Sequence, residues 1–356
     1  MLAALPPKTS PEDLETRKVL KKLSTSRAAL AELKGVSGTI PNQQILIDTL
    51  SLQEARDSSA IENIVTTQDE LYQSDLDQQT FSNPAAKEVH RYAAALKTGF
   101  QEVKNYGIIR IGLLNRVQAA IESNDAGIRQ VPGTVLKNEQ TGQVVYTPPQ
   151  KYEEILSLFE NLEAFINEEI PFDVDPLVKM AIIHYQFESI HPYYDGNGRT
   201  GRILNLLYLI KEELLSIPVL YISRYIIRNR TEYYQLLQEV RTDENWEAWI
   251  IYMLNAVEKT ASQTVKTIRG IRDLMQQYKS RIREEEPKMY SQDLLNNLFR
   301  HPYTKIQWLK DDLHISRHTA TKYLETLTSM ELLEKVKKGR SNYYLNPALL
   351  RLLSGE

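Results

Sequence analysis

One twelve-residue stretch, residues 191–202, holds residue types that can act together on a phosphate, and it reads HPYYDGNGRTGR. His191 is the candidate base, because an unperturbed histidine pKa near ~6.5 lets the ring accept a hydroxyl proton at neutral pH. Asp195 offers a hard oxygen to Mg²⁺, which typically takes one or two carboxylates besides the phosphates of a substrate. A base and a metal-binding carboxylate this close together indicate chemistry at a phosphate.

The glycines and arginines of the same stretch predict a site for an anion. Gly196 and Gly198 allow positive φ, so their amides can point into one concavity, and the following helix adds its N-terminal dipole. Arg199 and Arg202 lie three residues apart on the first turn of that helix, and guanidinium geometry suits phosphate oxygens. The stretch therefore predicts phosphoryl or nucleotidyl transfer onto a hydroxyl.

Two other interpretations of this region stay open. The glycines could form only a turn between helices, and His184, Glu188 and His191 share a helix face, so they could form a metal cluster. Known zinc spacings do not favour that cluster, and His184 is expected to be a core or orienting residue. Because no P-loop pattern occurs in the chain, a nucleotide site has to be the 191–202 stretch.

The elements that must position this stretch are helices. An N-cap aspartate and a proline begin a helix over residues 175–191, Pro192 ends it, and a second helix is predicted over residues 199–215. Apolar residues recur with helical spacing through most of the chain, so the fold class is mainly α. Two β-hairpins are predicted, at residues 135–147 and, with a basic tip, at residues 332–345.

Composition excludes several other classes of protein. The 356 residues include no cysteine, so disulfides and thiolate catalysis are excluded, and a reducing cytoplasm is the expected compartment. No run approaches the ~18 consecutive apolar residues of a membrane span, and the N-terminus lacks the features of a secretory signal. We therefore expect a cytoplasmic protein with no membrane contact. Residues 1–40 carry several prolines and are expected to wrap a core rather than form one.

The 191–202 stretch closely resembles the signature of the Fic family, H-P-F-x-(acidic)-G-N-G-R-x-x-R, with Tyr193 in place of Phe. The resemblance covers roughly residues 108–257 and implies the Fic fold, in which helices surround a short hairpin flap. In that family the histidine takes the proton of a target Ser, Thr or Tyr hydroxyl, which attacks the α-phosphate of ATP and expels pyrophosphate. The resemblance thus implies ATP as substrate, Mg²⁺ as cofactor, and a target protein that carries the acceptor hydroxyl.

The resemblance also assigns roles within the stretch. It implies that His191 is the catalytic base and that Asp195 holds Mg²⁺. The asparagine and the glycine amides would cradle the α- and β-phosphates, and the two arginines would bind the outer phosphates. The ATP-binding residues that it predicts here are Gly196, Asn197, Gly198, Arg199, Thr200, Gly201 and Arg202.

Two further segments look like Fic accessories. The first hairpin resembles the flap that aligns a target chain by strand addition, with Val144, Val145 and Tyr146 of its second strand near the nucleotide. Tyr233 and Tyr234 resemble the tyrosine pair that lines the adenine pocket. Two aromatic residues of an ordinary core would give the same pattern.

Residues 58–63, SSAIEN, match the inhibitory pattern of the family, (Ser/Thr)-x-x-x-Glu-(Gly/Asn). The match assigns Ser58, Glu62 and Asn63 to an inhibitory motif. We expect Glu62 to pair with Arg202 and so to occupy the guanidinium that would otherwise hold the γ-phosphate of ATP. The resting protein would then be self-inhibited.

Four parts are predicted along the chain: an N-terminal helical region with the inhibitory motif (1–107), the Fic catalytic core (108–257), a linker helix (258–286) and a C-terminal domain (287–356). The last part resembles a winged helix-turn-helix and carries 11 Lys/Arg against 7 Asp/Glu. DNA contact through residues 316–340 is one interpretation of it. Protein contact or formation of a homodimer is the other.

Three functions compete at this point. The first is a self-inhibited transferase that moves AMP from ATP to a target protein or to itself. The second is a nucleotide-sensing transcriptional regulator that binds DNA through the winged helix. The third keeps the enzyme but changes the group, since Fic relatives also transfer other phosphate-linked moieties.

Overall fold

A computed structural model describes residues 2–67, 70–72, 83–137, 141–338 and 341–354. Helices dominate these residues, and the strands form two small antiparallel sheets, which confirms the mainly α fold class. The helices and strands that lie within the described residues are, in chain order, α1 (Pro11–Leu14), α2 (Arg17–Ser37), α3 (Gln44–Ile61), α4 (Pro84–Tyr106), α5 (Ile111–Glu122), β1 (Leu136–Lys137), β2 (Val144–Tyr146), α6 (Tyr152–Ile166), α7 (Pro176–Ile190), α8 (Asn197–Lys211), α9 (Ile222–Arg228), α10 (Arg230–Asp243), α11 (Trp246–Glu285), α12 (Gln292–Arg300), β3 (Tyr303–Thr304), α13 (Ile306–Leu313), α14 (Arg317–Ser329), β4 (Glu334–Lys338), β5 (Ser341–Leu345) and α15 (Pro347–Ser354).

The N-terminal residues contribute directly to the core, unlike the wrapping role expected for them. Thr16 caps α2 by accepting a hydrogen bond from the Val19 amide at 3.3 Å. Leu23, Leu30 and Leu33 follow at helical spacing, and all three are buried against the long helix α11. Helix α11 itself runs unbroken through residue 257, so the predicted boundary between core and linker helix falls inside one continuous element.

Helix α3 carries the predicted inhibitory motif and is buried on nearly every side. Its neighbours include α4, α9 and the C-terminal helix α12. The Gln53 side-chain amide donates to the Leu353 carbonyl oxygen at 2.8 Å, and Arg300 Nε lies 3.5 Å from Asp48 Oδ2. The C-terminal part of the chain therefore holds this helix in place together with the N-terminal part.

Helices α7 and α8 form the hairpin that presents the 191–202 stretch. Asp175 caps α7 by accepting from the Leu177 amide at 2.8 Å, and the apolar helix is buried on all sides. Helix α8 begins at Asn197 and ends at Lys211, so it starts two residues before, and ends four residues before, the predicted helix. The connecting turn, residues 191–196, is short enough to hold the end of α7 against the start of α8.

The first hairpin pairs β1 with β2, with Leu136 opposite Tyr146 and Lys137 opposite Val144. Residues 138–140 of its predicted turn lie outside the described residues. The C-terminal part consists of α12, β3, α13, α14, β4, β5 and α15, and its sheet has the order β3-β5-β4. Gly339 and Arg340 at the predicted basic tip also lie outside the described residues, and the winged-helix assignment stays a prediction. Across the parts of the chain that the structure describes, no helix combines the length and apolarity that crossing a bilayer requires.

Candidate active site

His191 lies at the C-cap of α7, where its backbone adopts the left-handed conformation with φ 50° and ψ 60°. Its amide donates to the Phe187 carbonyl oxygen at 3.0 Å, which closes the helix. Burial, followed by the nearby Arg129 charge, lowers the pKa of the His191 ring to about 4, although a hydrogen bond to the Glu188 backbone opposes the shift. The ring is therefore neutral at pH 7, as a base that accepts a hydroxyl proton must be.

Arg129 secures the backbone around His191 and was missed by sequence reasoning. Its Nε donates to the His191 carbonyl oxygen at 2.8 Å, and its Nη2 donates to the Ile190 carbonyl at 3.4 Å and to the Pro149 carbonyl. The Arg129 amide donates to the Pro192 carbonyl at 2.9 Å. The side chain is fully buried. No motif marks this arginine, because its partners are main-chain groups that any sequence would supply.

Side chains of the turn and of the neighbouring helices α5 and α8 hold the shape of the turn. Asn197 accepts from the Tyr193 amide at 2.9 Å and donates to the Tyr193 carbonyl at 2.8 Å, so its side chain is occupied by the turn itself. The buried Tyr193 hydroxyl, which replaces the phenylalanine of the signature, donates to Asn115 Oδ1 at 2.9 Å. Gln118 Nε2 donates to the Asp195 carbonyl at 3.1 Å. Hydrogen bonds within the protein itself therefore fix the conformation of the turn.

The backbone at the start of α8 is suited to an anion. Gly196 is the N-cap at φ 78° and has no side chain to cap the helix. The Thr200 amide is satisfied by the Gly196 carbonyl at 2.9 Å, and the Gly196 amide donates to Asp195 Oδ1 at 2.7 Å. The first-turn amides after Gly196 and the N-terminal dipole favour a negative ligand there.

Asp195 supplies the carboxylate of the turn, and 77% of its side chain is exposed. Its Oδ1 lies 3.9 Å from Arg199 Nη2. Mg²⁺ prefers a carboxylate that leaves space for substrate phosphates and water, and this exposed group fits that demand. Within the described residues no group of three or more His, Asp or Glu side chains could hold a metal by itself, which leaves the alternative cluster around His184 without support.

Arg199 is held by two carboxylates. Its Nη2 donates to Glu122 Oε1 at 2.6 Å and its Nη1 to Glu88 Oε2 at 3.1 Å, while only 4% of the side chain is exposed. The sequence predicted a phosphate ligand at this position. In the structure the guanidinium fastens α8 to α4 and α5.

Arg202 and Glu62 form the ion pair predicted between the loop and the inhibitory motif. Arg202 Nη2 donates to Glu62 Oε1 at 2.8 Å and to the Ser58 carbonyl at 3.0 Å, and Nε donates to Ser58 Oγ at 2.8 Å. Burial pushes the pKa of Glu62 upward, but the charge of Arg202 and its hydrogen bond outweigh this, so the pKa is lowered. Glu62 is therefore ionised, and its carboxylate is paired with the Arg202 guanidinium. Asn63 lies beside it and accepts from Arg230 Nη1 at 2.9 Å.

Glycine at three positions of the stretch makes room for acidic side chains. A Cβ at Gly196 would lie 2.7 Å from Glu122 Oε1, and a Cβ at Gly201 would lie 2.7 Å from Glu188 Oε1. At Gly198 a Cβ would collide with Glu62 Oε1 and lie 2.9 Å from Arg202 Nη1. Thr200 is fully buried between them. The close approach of Glu62 to the loop backbone thus depends on the absence of a side chain.

The side chains of the flap strand β2 differ in their exposure to solvent. Val144 and Val145 are exposed, with 54% and 45% of their surface accessible. Tyr146 turns inward, and its hydroxyl donates to the Ser189 carbonyl at 3.0 Å while the Arg241 guanidinium lies 3.9 Å from its ring centre. Tyr146 therefore ties the flap to the end of α7, and the two valines stay accessible.

The two tyrosines predicted to line an adenine pocket differ in burial. Tyr233 is buried, and its hydroxyl lies 2.8 Å from His184 Nε2, while the His184 ring stacks on Trp249. Burial lowers the pKa of His184 to about 3, so this histidine is a neutral core residue. Tyr234 is 44% exposed, packs edge-on against Tyr233 and lies below the Arg230 guanidinium. Of the two, only Tyr234 is accessible to solvent, and it lies beside Arg230.

Two buried carboxyl groups beside Arg202 were also missed by sequence reasoning. Burial raises the pKa of Glu188 to about 7, with Arg202 opposing the shift and Glu62 adding to it. Burial likewise raises the pKa of Glu54 to about 8, although hydrogen bonds from Ser223 oppose it. The Arg202 guanidinium thus lies among three acidic side chains, of which Glu62 alone is directly paired with it.

Comparison with known proteins identifies three regions. Residues 20–101 match the model of the Fic/DOC family N-terminal region, residues 111–209 match the Fic/DOC family model, and residues 274–349 match the C-terminal domain of protein adenylyltransferase SoFic-like. The central match contains the whole 191–202 stretch, and the N-terminal match contains Glu62.

Curated relatives are similar to part of the chain. Protein adenylyltransferase fic-1 of Caenorhabditis elegans is 30% identical over 89 residues, 25% of this chain and 16% of that protein. A probable protein adenylyltransferase of Aquifex aeolicus is 35% identical over 94 residues, 26% of each chain. The chain thus spans only about a sixth to a quarter of the length of these relatives.

Among solved structures, a Fic family protein from Desulfovibrio desulfuricans superposes with a TM-score of 0.57 at 19% identity, covering 94% of this chain and 98% of that one. Fic-1 of C. elegans, residues 134–508, superposes with a TM-score of 0.54 at 18% identity, covering 70% and 74%. At these identities the likeness concerns the fold.

Proposed function

Since this chain belongs to the Fic/DOC family, we propose that it transfers AMP from ATP to a Ser, Thr or Tyr hydroxyl of a protein and releases pyrophosphate. The observation that carries the proposal is the hairpin of α7 and α8, which sets a neutral His191 opposite a helix N-terminus suited to phosphate. The curated relatives are named protein adenylyltransferases, which supports the choice of AMP as the group.

In the proposed reaction, His191 removes the proton of the acceptor hydroxyl as its oxygen attacks the α-phosphorus of ATP. The bond between that phosphorus and the oxygen bridging to the β-phosphate breaks, and pyrophosphate leaves with the electron pair. The amides of Asn197, Gly198 and Arg199 at the start of α8 would hold the phosphates. The shape of the turn, fixed by the Asn197 and Tyr193 hydrogen bonds, keeps these amides aligned without reorganisation during the reaction.

Mg²⁺ belongs to the proposal through Asp195, whose exposed carboxylate would hold the ion beside the phosphates. When bound, the ion would neutralise part of the phosphate charge. Arg199 has both Nη atoms on carboxylates, so its proposed part in ATP binding is through its backbone amide and its anchoring of α8. Arg202 is the proposed ligand of the outer phosphates once Glu62 no longer occupies it.

Glu62 makes the proposed resting state an inhibited one. The carboxylate sits on Arg202 and close to the Gly198 backbone, where phosphate oxygens would otherwise lie. A negative side chain in that position repels the γ-phosphate and removes its guanidinium partner. Ser58 contributes by orienting the same guanidinium from the other side.

The test uses Glu62→Gly protein incubated with ATP labelled at either the α- or the γ-phosphate, together with a mixture of candidate target proteins. We expect protein-bound label from α-labelled ATP only, on a target or on the chain itself, and we expect His191→Ala in the same background to abolish it. Label from the γ-phosphate would instead identify a kinase, and label from neither would remove the proposal. Mass spectrometry of the labelled peptide then identifies the acceptor hydroxyl.

We also propose that the chain can modify itself and that two copies can pair. Self-modification and pairing of two copies are expected outcomes to be read from the labelling experiment and from molecular mass in solution. We propose a cytoplasmic location because the sequence contains no cysteine. The regulator alternative has less support, since the matched relatives are named as transferases.

DNA contact through residues 316–340 has one favourable feature. Arg317, His318 and Lys322 are exposed on α14, which Ser316 caps by accepting from the Thr319 amide at 3.1 Å. Fluorescence anisotropy with duplex DNA at several salt concentrations tests it. Binding that falls steeply with salt and weakens on loss of Arg317 would support DNA as a partner, and absence of binding at low salt would remove it.

A further inference from the structure

We propose that Arg129 is a positioning residue for the reaction, which holds His191 in place through hydrogen bonds to main-chain carbonyl groups on both sides of the His191 Cα. The inference rests on the proposed function, because it assigns Arg129 to the reaction that His191 would perform. Arg129 lies more than sixty residues before the motif in sequence, and the fold brings its guanidinium to the end of α7.

The contacts of Arg129 converge on the last carbonyl groups of α7. A helix leaves its final carbonyls without intrahelical partners, and its C-terminus carries a partial negative charge. Arg129 supplies donors to two of them, at residues 190 and 191, with a cationic group that complements the helix dipole. In the described part of the chain its side-chain partners are all main-chain carbonyls, so no carboxylate there neutralises this buried charge.

The conformation that these bonds hold is an uncommon one. A non-glycine residue in the left-handed region costs roughly 1–2 kcal/mol, although histidine tolerates it better than most. The bond from Arg129 Nε fixes the His191 carbonyl, and the Arg129 amide together with the Ile128–Tyr193 bridge fixes the residues that follow. His191 is thus aimed by contacts on both sides of its Cα rather than by the end of α7 alone.

The third bond links the base to the flap. Arg129 Nη2 also donates to the carbonyl of Pro149, three residues after β2 ends. One buried guanidinium therefore connects the strand that carries Val144 and Val145 to the backbone of His191. If an acceptor segment aligns along that strand, Arg129 fixes the position of the strand, and so of the acceptor hydroxyl, relative to the His191 backbone.

Charge is the second part of the role. The charged groups that face His191 are Arg129 and Arg241, which lower the pKa of the ring, and Glu62, which raises it. Arg129 is the first of these after burial itself. Loss of the Arg129 charge would therefore raise the pKa of His191, and a shift of that kind reports on the charge separately from the geometry.

Two substitutions separate these contributions. Arg129→Lys keeps the charge but cannot reach carbonyls on both sides, because an ammonium lacks the planar fork. Arg129→Met removes both charge and donors at similar length. Arg281→Met is the matched control, since Arg281 also donates to a main-chain carbonyl, that of Met330 at 2.8 Å, far from the site. All three are made in the Glu62→Gly background and checked by thermal unfolding.

We expect kcat for AMP transfer to fall on the order of 10- to 100-fold in both Arg129 variants, since small misplacement of a base has that scale of effect, while KM for ATP stays within about twofold. Arg281→Met should keep kcat. NMR titration should show a raised His191 pKa in Arg129→Met and a nearly native one in Arg129→Lys, with the His191→Ala spectrum assigning the signal among six histidines.

Native kcat in both Arg129 variants would overturn the proposal, and so would a His191 pKa that does not move in Arg129→Met. If Arg129→Met fails to fold, Arg129→Lys still decides the matter by its kcat and KM. Failure of the proposed function is distinguishable, because Glu62→Gly with Arg129 intact would then transfer no AMP. The NMR titration would in that case still test the contact between Arg129 and His191.

Discussion

Replacement of Glu62 by glycine and by glutamine gives the sharpest measure of the contact between the inhibitory motif and the loop. Glycine removes the carboxylate from Arg202 entirely. Glutamine keeps an oxygen that can accept from the Arg202 guanidinium but removes the negative charge. Ser58 binds Arg202 independently of Glu62, so we expect the guanidinium to stay in place in both variants.

The magnitude follows from the type of contact. A hydrogen bond between charged groups contributes about 1.5–3 kcal/mol. Because 34% of the Glu62 side chain is exposed, we reduce this to about 1–2 kcal/mol for solvent screening. At 1.4 kcal/mol for each factor of ten, the glycine variant should transfer AMP about 5- to 30-fold faster than the native protein at subsaturating ATP. The glutamine variant should lie between them.

The assay is initial-rate incorporation of α-labelled AMP into protein, paired with ATP binding by calorimetry. Glu286→Gly is the control, since Glu286 occupies the same C-cap position at the end of α11 without contacting the loop. If Glu62→Gly and Glu286→Gly transfer AMP at the same native rate, the ion pair does not restrain the enzyme. Equal rates for the glycine and glutamine variants would show that the negative charge of Glu62 is not what holds back AMP transfer.

Three further predictions concern the site and its support. Because burial and Arg129 hold the pKa of His191 at about 4, the ring becomes protonated and stops acting as a base only as pH falls through that value. AMP transfer by Glu62→Gly should therefore stay level down to about pH 5.5. A decline in rate centred near ~6.5 would contradict this. Gly201→Ala should lower the free energy of unfolding by about 1–3 kcal/mol in denaturant titrations, because its Cβ would meet the Glu188 carboxylate at 2.7 Å, whereas Gly35→Ala in open space should not destabilise. Tyr233→Phe should lower the free energy of unfolding by about 1–3 kcal/mol, because it leaves a buried His184 nitrogen without its hydrogen-bond partner. The same variant should leave KM for ATP unchanged. A large rise in KM with native stability would instead place Tyr233 in the adenine pocket.

The parts of the site that could be predicted from the sequence are those encoded in short local patterns. The 191–202 stretch is one helix end, one turn and one helix start, so spacing alone places its residues together. The Glu62 prediction needed the resemblance to the family, because a glutamate at a helix end is ordinary. Its partner Arg202 is 140 residues away, and nothing local indicates that contact.

The residues that the sequence did not reveal act through tertiary contacts with main-chain or buried groups. Arg129 binds carbonyl oxygens, and every residue offers one, so its partners carry no sequence signal. The binding of Arg199 to Glu88 and Glu122 depends on how α4 and α5 pack against α8. The role of residues 1–40 in the core was missed because their prolines suggested irregular chain. These prolines come before the regular helix α2, whose apolar side is buried by packing against the distant helix α11.

The deep burial of α3 determines how Glu62, the proposed inhibitory residue, could move away from Arg202. Each fully buried large aliphatic side chain contributes roughly 1.5–3 kcal/mol, so withdrawal of the whole helix would cost about as much as unfolding a domain. The buried aliphatic residues of this helix are Ile45, Leu46, Ile47, Leu50, Leu52 and Ile61. Glu62, by contrast, stands just past the last turn with a third of its side chain in solvent. We therefore expect release of Arg202 to need only rotation about the side-chain bonds of Glu62, while helix α3 stays folded.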